Sequence, residues 1–333
     1  MQLNKIFKDK DINYNLLQSK TITIIGYGNQ GKAQALNLKD SSINVIIALR
    51  ANSKSIKLAQ SDGFEVFSIP KAIQLSDIIC ILIPDEEIQS TFNNTIKPYL
   101  RKDQSLLFAH GYSVFFKEIT IPDFVNVLLV APSGSGKMVR EEFIKGRGVP
   151  NLIAVDQDYS RNSLEIALSY SKSIGGTRIC AFLSTFEEEV VTDIFGEQVV
   201  LTGGIPSIIK ESFNVLLEDG YSPVVAWFVC YYEVKSIIDS FHDNGFNFLN
   251  KMISNVAEYG GLTRGERLIN DNVKKEMKKI LSEVKNGEFK REWDLEKKEQ
   301  FKLLNKKRDF TKKSEIEKIT LKMLSILNEK NNF

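Results

Sequence analysis

The segment "TITIIGYGNQGKAQALNLKD", residues 21–40, constrains the fold of this chain more than any other feature. A run of β-branched and aliphatic residues comes first, and Gly26, Gly28 and Gly31 then follow in the order G-x-G-x-x-G before a helical pattern begins. Between a strand and a helix, such glycines permit a tight turn and close approach of the backbone to a pyrophosphate. The segment therefore predicts a dinucleotide-binding turn, and a tight turn without a ligand is the alternative.

Strand-like and helix-like segments alternate between residue 21 and about residue 180. The predicted buried strands cover residues 21–28, 43–49, 77–83, 105–111, 125–132 and 151–158. This alternation is typical of a parallel, doubly wound sheet. We therefore predict an α/β domain with a doubly wound, mainly parallel sheet over residues 1–182.

Long helical patterns replace the strands after residue 182. The predicted helices cover residues 184–200, 205–219, 222–244, 246–258 and 271–286. From about residue 294 the chain is rich in Lys and Glu, which predicts exposed, partly frayed helices with a solvated charged face. Residues 183–333 are therefore predicted to form an all-α domain.

Composition and charge exclude several classes of protein. The 333 residues contain 44 Lys plus Arg and 42 Asp plus Glu, a net charge of +2, which argues against a nucleic-acid or membrane-surface partner. No apolar run reaches the length of about 18 residues that predicts a membrane helix, and the first 20 residues lack the apolar core of a signal peptide. Three cysteines lie far apart in apolar runs, which favours buried free thiols over disulfides. We expect a soluble, cytoplasmic protein.

The end of the second predicted strand indicates which dinucleotide binds. In "IIALRANSKS" no acid is present to hold ribose hydroxyls, whereas Arg50, Ser53 and Ser55 offer a guanidinium and two hydroxyls to a phosphate. This pattern favours NADPH, and a polar loop without a ligand is the alternative.

Ionisable residues suggest a second site. His110 ends a predicted strand in "FAHG", where ligand sites of α/β sheets lie. Asp193 and Glu197 are four residues apart, so a helix would project both carboxylates from one face, and Glu233 lies on a later helix. Carboxylate oxygens are the ligands that Mg²⁺ prefers. A solvated acidic face is the alternative, and spacing alone favours it.

Taken together, the motifs resemble the short form of the ketol-acid reductoisomerase family. The matching segments, in order, are "IIGYGNQGKAQALNLKDS", "LRANSKS", "LIPDEE", "FAHGYS", "VAPSGSG", "GVPNLIAV", "IGGTR", "TDIFGEQVVLTGG", "ISNVAEYGG" and "NGEF", and the resemblance covers about residues 6–295. It implies an NADPH-binding Rossmann domain, and an all-helical domain that interlocks with its copy in a homodimer or higher oligomer.

The resemblance also implies a reaction of branched-chain amino-acid synthesis. With Mg²⁺ bound, an alkyl group of 2-acetolactate or 2-aceto-2-hydroxybutyrate migrates to the adjacent carbon, and NADPH then reduces the new ketone to give a 2,3-dihydroxy acid. The implied substrate is therefore a small keto-hydroxy acid.

The matching motifs also imply individual site residues. The resemblance places His110 beside the active site and Ser254 at the substrate carboxylate. It assigns the metal to Asp193, Glu197 and Glu233. The cofactor residues that it implies are Tyr27, Gly28, Asn29, Gln30, Arg50, Ser53, Ser55, Asp85, Glu86, Glu87, Ile88 and Gly136.

Two positions depart from the family pattern. Ser133 stands where the family has a lysine after Ala-Pro, and Val229 stands where it has a glutamate four residues before Glu233. One cation and one anion are lost together, so the local charge changes little, and Lys137 is a candidate replacement for the ammonium group. Three interpretations remain open: a reductoisomerase that tolerates both changes, a 2-keto acid reductase without isomerase activity, or a non-catalytic paralogue that pairs with an active subunit.

Overall fold

The structure, a computed structural model, describes residues 5–12 and 14–329. The chain forms two compact units, Met1–Thr192 and Asp193–Phe333. Within the described ranges, no helix is both long enough and apolar enough to cross a lipid bilayer.

A nine-stranded, mainly parallel sheet forms the centre of the first unit. Its strands are β1 (Ile6–Phe7), β2 (Thr21–Ile25), β3 (Asn44–Ala48), β4 (Val66–Phe67), β5 (Ile78–Ile81), β6 (Ser105–Phe108), β7 (Asn126–Pro132), β8 (Asn151–Gln157) and β9 (Ala181–Leu183). They lie in the order β1-β9-β8-β7-β6-β5-β2-β3-β4. Among the strand pairs that the described residues form, β1–β9 and β7–β8 are antiparallel and the others are parallel. The predicted α/β class with a mainly parallel sheet is confirmed.

Helices connect the strands. They are α1 (Asn29–Asp40), α2 (Ile56–Ser61), α3 (Ile69–Leu75), α4 (Asp85–Thr91), α5 (Tyr112–Phe115), α6 (Gly136–Ile144) and α7 (Ser163–Ser173). A π-helical segment, Phe92–Ile96, extends α4, and short 3₁₀ turns lie at Asp9–Asp11, Tyr14–Leu17, Lys97–Tyr99 and Gly176–Arg178.

Both faces of the sheet are buried, as a doubly wound sheet requires. Along β2, Ile24 packs into one hydrophobic cluster and Ile25 into another, and along β5 Cys80 and Ile81 divide in the same way. Because successive side chains of a strand point to opposite faces, continuous aliphatic runs suit strands covered on both sides. The β-branched residues that predicted these strands thus also build both layers of the core.

The first unit differs from the prediction at its outer strands. β8, predicted to continue the parallel series, runs antiparallel to β7. β1, β4 and β9 were not predicted, since two or three residues carry no measurable alternation of polar and apolar side chains. The central strands occupy the predicted segments but end up to three residues earlier.

The second unit is helical. Helix α8 (Phe186–Gly196) crosses the boundary between the units, and α9 (Gly204–Glu218), α10 (Pro223–Trp227), α11 (Val234–Asn244), α12 (Phe246–Met252), α13 (Asn255–Leu268), α14 (Asp271–Lys285), α15 (Glu288–Lys298), α16 (Lys302–Lys313) and α17 (Glu315–Glu329) come after it. Two π-helical segments, Glu197–Leu201 and Phe228–Tyr232, continue α8 and α10.

Most of the C-terminal tail is exposed, as predicted, but one face of α17 also contributes to the core of this unit. Trp227 and Phe213 are fully buried in a cluster with Met323 of α17. The indole Nε1 of Trp227 donates a 2.9 Å hydrogen bond to Thr320 Oγ1, also on α17. The abundant Lys and Glu residues obscured the apolar stripe on α17, which recurs at helical spacing.

Candidate cofactor and active site

The glycine turn joins β2 to α1. Gly26 has φ +99°, a conformation that favours glycine, and a Cβ there would lie 2.5 Å from the carbonyl oxygen of Leu82. A Cβ at Gly31 would lie 2.3 Å from the carbonyl oxygen of Gly26. At Gly28, by contrast, a Cβ would meet no atom within 4 Å. The first and third glycines therefore allow the backbone to pack, whereas the second faces open space, where a phosphate can approach.

Strand register brings the candidate residues to one edge of the sheet. Ile25, the last residue of β2, pairs with Ala48 of β3 and with Ile81 of β5, and Ile81 pairs with Phe108 of β6. The four parallel strands thus end level with one another. The loops after these strands therefore lie together at the carboxyl edge, where open α/β sheets bind their ligands.

A cavity of about 210 Å³ opens at this edge. Among the residues that line it are Gly26, Tyr27, Gly28, Arg50, Ser53, Ser55, Glu87 and Thr91. The structure therefore brings the predicted phosphate-binding residues to the same cavity as the glycine turn. Its volume and its mixture of apolar walls with a few polar groups suit one end of a nucleotide.

The side chain of Tyr27 is held within the protein. Its hydroxyl donates a 2.8 Å hydrogen bond to Asp62, and Lys32 lies 2.9 Å from the same carboxylate. Burial, and then the bond to Asp62, raises the pKa of Tyr27 above its ordinary value. The hydrogen bond from Lys32 lowers the pKa of Asp62, and the bond from Tyr27 acts in the same direction. Tyr27 therefore fixes the glycine turn to the end of α2.

The start of α1 contacts the loop before α6. Gln30 Nε2 donates a 2.9 Å hydrogen bond to the carbonyl oxygen of Gly134. A Cβ at Gly136 would lie 2.1 Å from the carbonyl oxygen of Asn29. The side-chain amide of Gln30 and the missing Cβ of Gly136 thus hold the turn against the loop before α6, whereas Asn29 is exposed at the first position of α1.

The four predicted cofactor residues of α4 have different environments. Asp85 contacts His110, Glu86 is exposed, and Glu87 lines the cavity. Ile88 is 3% exposed and packs in the core beneath. The side chain of Ile88 therefore supports the helix rather than the cavity.

His110 follows β6 and lies among carboxylates. Its Nδ1 is 3.3 Å from Asp85 Oδ2. Because an ionised carboxylate only accepts hydrogen bonds, this contact places a proton on Nδ1. Glu189 of α8 offers a carboxylate oxygen within 4.8 Å of a His110 ring nitrogen. Glu189 is 3% exposed, and it accepts a 2.9 Å hydrogen bond from the Gly111 N–H. A buried carboxylate beside a histidine can hold a metal ion or move a proton.

The predicted metal ligands occupy ends of helices. Asp193 follows Glu189 by one turn on α8, and Glu197 begins the π-helical segment after it. Glu233 follows the second π-helical segment and precedes α11. Short π-helical segments often occur at functional sites. Among the residues that the structure describes, however, Asp193, Glu197 and Glu233 do not form a group of three ligands close enough to hold one ion.

Ser254, the predicted substrate contact, caps α13. Its hydroxyl oxygen accepts a 3.2 Å hydrogen bond from the Ala257 N–H. This is the ordinary structural role of a serine before a helix. This bond does not use the hydroxyl hydrogen of Ser254, so contact with the substrate stays a prediction.

Two family descriptions match almost the whole chain. "Acetohydroxy acid isomeroreductase, NADPH-binding domain" matches residues 16–180, and "Ketol-acid reductoisomerase, C-terminal domain" matches residues 186–329. The chain belongs to the ketol-acid reductoisomerase family.

Individual relatives agree with this membership. A ketol-acid reductoisomerase (NADP(+)) from Methanocaldococcus jannaschii is 46% identical over 315 residues, which cover 95% of this chain and 96% of the relative. A protein of the same name from Pyrococcus abyssi is 45% identical over 289 residues, 87% of each chain. The structure of an NADH-preferring ketol-acid reductoisomerase from an uncultured archean superposes with TM-score 0.93 at 39% identity, covering 96% of this chain and 98% of that one.

Within this reductoisomerase-family chain, both departures from the family pattern lie at accessible positions. Ser133 is exposed, and its backbone N–H donates a 2.8 Å hydrogen bond to the carbonyl oxygen of Pro150. Val229 is 49% exposed within a π-helical segment. Lys137 faces solvent on α6, 3.7 Å from Glu141. The carboxylate of Glu141 therefore competes for the ammonium group that is the candidate replacement for the family lysine.

Glu189 is a functional candidate that the predicted set of metal ligands leaves out, although the sequence places it one turn before Asp193 as a possible further acid. The signal was its position four residues before Asp193, on the same face of a helix. Its contact with Gly111 joins residues 78 positions apart, and no local pattern specifies such a contact.

We expect alanine substitutions at two glycines of the turn to have different effects on stability and on NADPH binding. Gly31→Ala should lower the free energy of unfolding by about 1–3 kcal/mol, because the new Cβ overlaps the Gly26 carbonyl. Gly28→Ala should cost about 1 kcal/mol or less, yet weaken NADPH binding at least about tenfold, because its methyl group fills the phosphate approach. Urea unfolding and titration calorimetry measure the two quantities. Equal effects of both variants on both quantities would contradict this assignment.

We expect Glu189→Gln to preserve the fold and reduce activity. The amide oxygen of glutamine can still accept the Gly111 N–H, so the free energy of unfolding should change by less than about 1 kcal/mol. Loss of the charge beside His110 should reduce turnover with acetolactate by about 10²-fold or more. Steady-state kinetics and urea unfolding of the same preparation measure both effects, and wild-type turnover in the variant would exclude a role for this carboxylate in the reaction.

Proposed function

We propose that this chain is an NADP-dependent, Mg²⁺-dependent ketol-acid reductoisomerase. It converts 2-acetolactate or 2-aceto-2-hydroxybutyrate to 2,3-dihydroxy acids in branched-chain amino-acid synthesis. The observation that carries the proposal is near-full-length similarity, at 46% and 45% identity, to two proteins that bear this name. The glycine turn and the His110 cluster at one edge of the sheet support it.

NADPH binds at the glycine turn. The exposed backbone at Gly28 and Asn29 would hold the pyrophosphate, and Arg50, Ser53 and Ser55 would bind the 2′-phosphate. The NADP-binding domain comprises residues 1–182, and the helical domain comprises residues 183–333. The bound cofactor supplies the hydride that reduces the substrate ketone.

Asp193, Glu197 and Glu233 would hold Mg²⁺. The donor set fits this ion, because all three side chains supply carboxylate oxygens and Glu189 lies one turn before Asp193. When bound, Mg²⁺ polarises the oxygens of the substrate and aligns them for alkyl migration. Since Glu233 is not grouped with the other two ligands among the described residues of one chain, we infer that it completes the site of a second copy.

The chain's own residues hold the protons and orient the substrate. Overall the reaction adds a hydride and a proton to the substrate. Asp85 keeps a proton on His110 Nδ1 and fixes the orientation of the ring. Glu189, fixed by the Gly111 N–H, provides a buried carboxylate beside this ring. The Ser254 hydroxyl would donate a hydrogen bond to the substrate carboxylate, while its oxygen accepts the bond from the Ala257 N–H that caps α13.

The helical domain forms the homodimer. Its helices expose many large apolar side chains, including those of Leu201, Val215, Phe246, Met252, Val256 and Leu268. Exposed apolar surface on several consecutive helices is typical of an interface with another chain. The three cysteines are free thiols, which suits action in the reducing cytoplasm.

Turnover of acetolactate tests the proposal. With Mg²⁺ and NADPH we expect at least about 1 s⁻¹ from the purified chain, an ordinary enzymatic rate. Asp193→Asn should reduce turnover about 10²-fold or more, because the amide removes a metal-binding charge. Asp219→Asn, the same substitution at the exposed C-cap of α9, is the matched control and should leave turnover unchanged.

Two other outcomes would contradict the proposal. Reduction of a 3-hydroxy-2-keto acid without turnover of acetolactate would identify a reductase that has lost the migration step. Binding of NADPH with no turnover of either substrate would identify a non-catalytic chain. Either outcome would indicate that Ser133 and Val229 change the function of the chain.

A further inference from the structure

An ion pair lies in the cavity that receives the adenosine end of the cofactor. Arg50 Nη2 is 3.3 Å from Glu87 Oε1 and 3.2 Å from Glu87 Oε2. Both residues line the same cavity as Ser53, Ser55 and the glycine turn. The guanidinium that is positioned for a phosphate therefore already has an anionic partner.

Topology explains how the two residues meet. Arg50 follows β3 and Glu87 lies on α4, which follows β5. Strand β2 lies between β3 and β5 and ends at the glycine turn. The ion pair therefore spans the end of β2 and connects the two sides of the nucleotide cavity across 37 residues of sequence.

The stability of the fold does not require this pair. The side chains of Arg50 and Glu87 are 70% and 35% exposed, and ion pairs with this degree of exposure contribute little to folding. The pair instead affects which charge a bound dinucleotide can carry beside Arg50. A 2′-phosphate must share or replace Glu87 as the partner of Arg50, and a carboxylate beside a phosphate repels it.

A ribose without the phosphate meets a different environment. The 2′-hydroxyl of NADH is neutral, and a carboxylate can accept a hydrogen bond from it, as an acid at the end of the second strand does in NAD-binding sites. Here the acid comes from α4 instead. The cavity thus contains a partner for a phosphate and a partner for a hydroxyl.

We propose that Glu87 is a specificity-determining residue that lowers the preference of the site for NADPH over NADH, so that the chain binds both. The inference rests on the proposed function, because it concerns the same dinucleotide site. Arg50 selects the phosphate, and Glu87 opposes that selection by competing for the guanidinium and by repelling the phosphate.

Binding of the two dinucleotides to Glu87→Gln tests this inference without requiring catalysis. Titration calorimetry of the full chain should show Kd for NADPH falling about five- to tenfold, because one charge near the phosphate is removed. Kd for NADH should stay constant or rise about two- to threefold, because an amide replaces a carboxylate acceptor. Glu165→Gln, an exposed glutamate in the first turn of α7, is the control and should change neither value.

The same substitution in an Arg50→Gln variant tests whether Glu87 acts by competing for the guanidinium. In Arg50→Gln, the gain in NADPH binding from Glu87→Gln should be smaller, because competition for the guanidinium no longer operates. The gain should also shrink at high salt, which screens charge repulsion.

The outcomes separate this inference from the proposed function. Wild-type binding of NADPH with an unchanged ratio of the two Kd values in Glu87→Gln would overturn the role of Glu87 and leave the cofactor assignment intact. Failure of the wild-type chain to bind either dinucleotide would overturn both.

Discussion

The level carboxyl ends of four parallel strands are the constraint on which the candidate site depends. Ile25, Ala48, Ile81 and Phe108 are in register, so the glycine turn, Arg50, Asp85 and His110 emerge at one edge of the sheet. Apolar packing on both faces of the sheet fixes that register, because a shift by one residue would turn every buried side chain to the opposite face. The core of the first unit thus determines the geometry of the polar site.

Much of this arrangement is predictable from sequence, for reasons specific to the segments involved. β2 and β5 are continuous aliphatic runs, and the glycine turn has a fixed spacing between a strand and a helix, so local pattern specifies them. The direction of β8 is not encoded in its own residues, because parallel and antiparallel strands share the same alternation. The burial of Thr320 and Met323 depended on packing against Trp227, whereas the charges of the tail predicted exposure.

The sequence predicts many residues of the candidate site, but it does not predict which of their side chains contact one another. Arg50 and His110 follow strands, a position that sequence can reveal. The Arg50–Glu87 and Gly111–Glu189 contacts join residues 37 and 78 positions apart, so tertiary folding alone brings them together. Ser133 and Val229 are both exposed, so the packing of the fold does not account for either departure from the family pattern.

A crystal structure of the chain with bound NADP⁺ tests the central claim most directly. We expect the pyrophosphate within hydrogen-bond distance of the backbone at Gly28 and Asn29, the adenosine in the cavity beside Arg50, and the nicotinamide ring directed toward His110 and Asp85. A dinucleotide bound away from the end of β2, or one whose nicotinamide ring lies remote from His110, would contradict it.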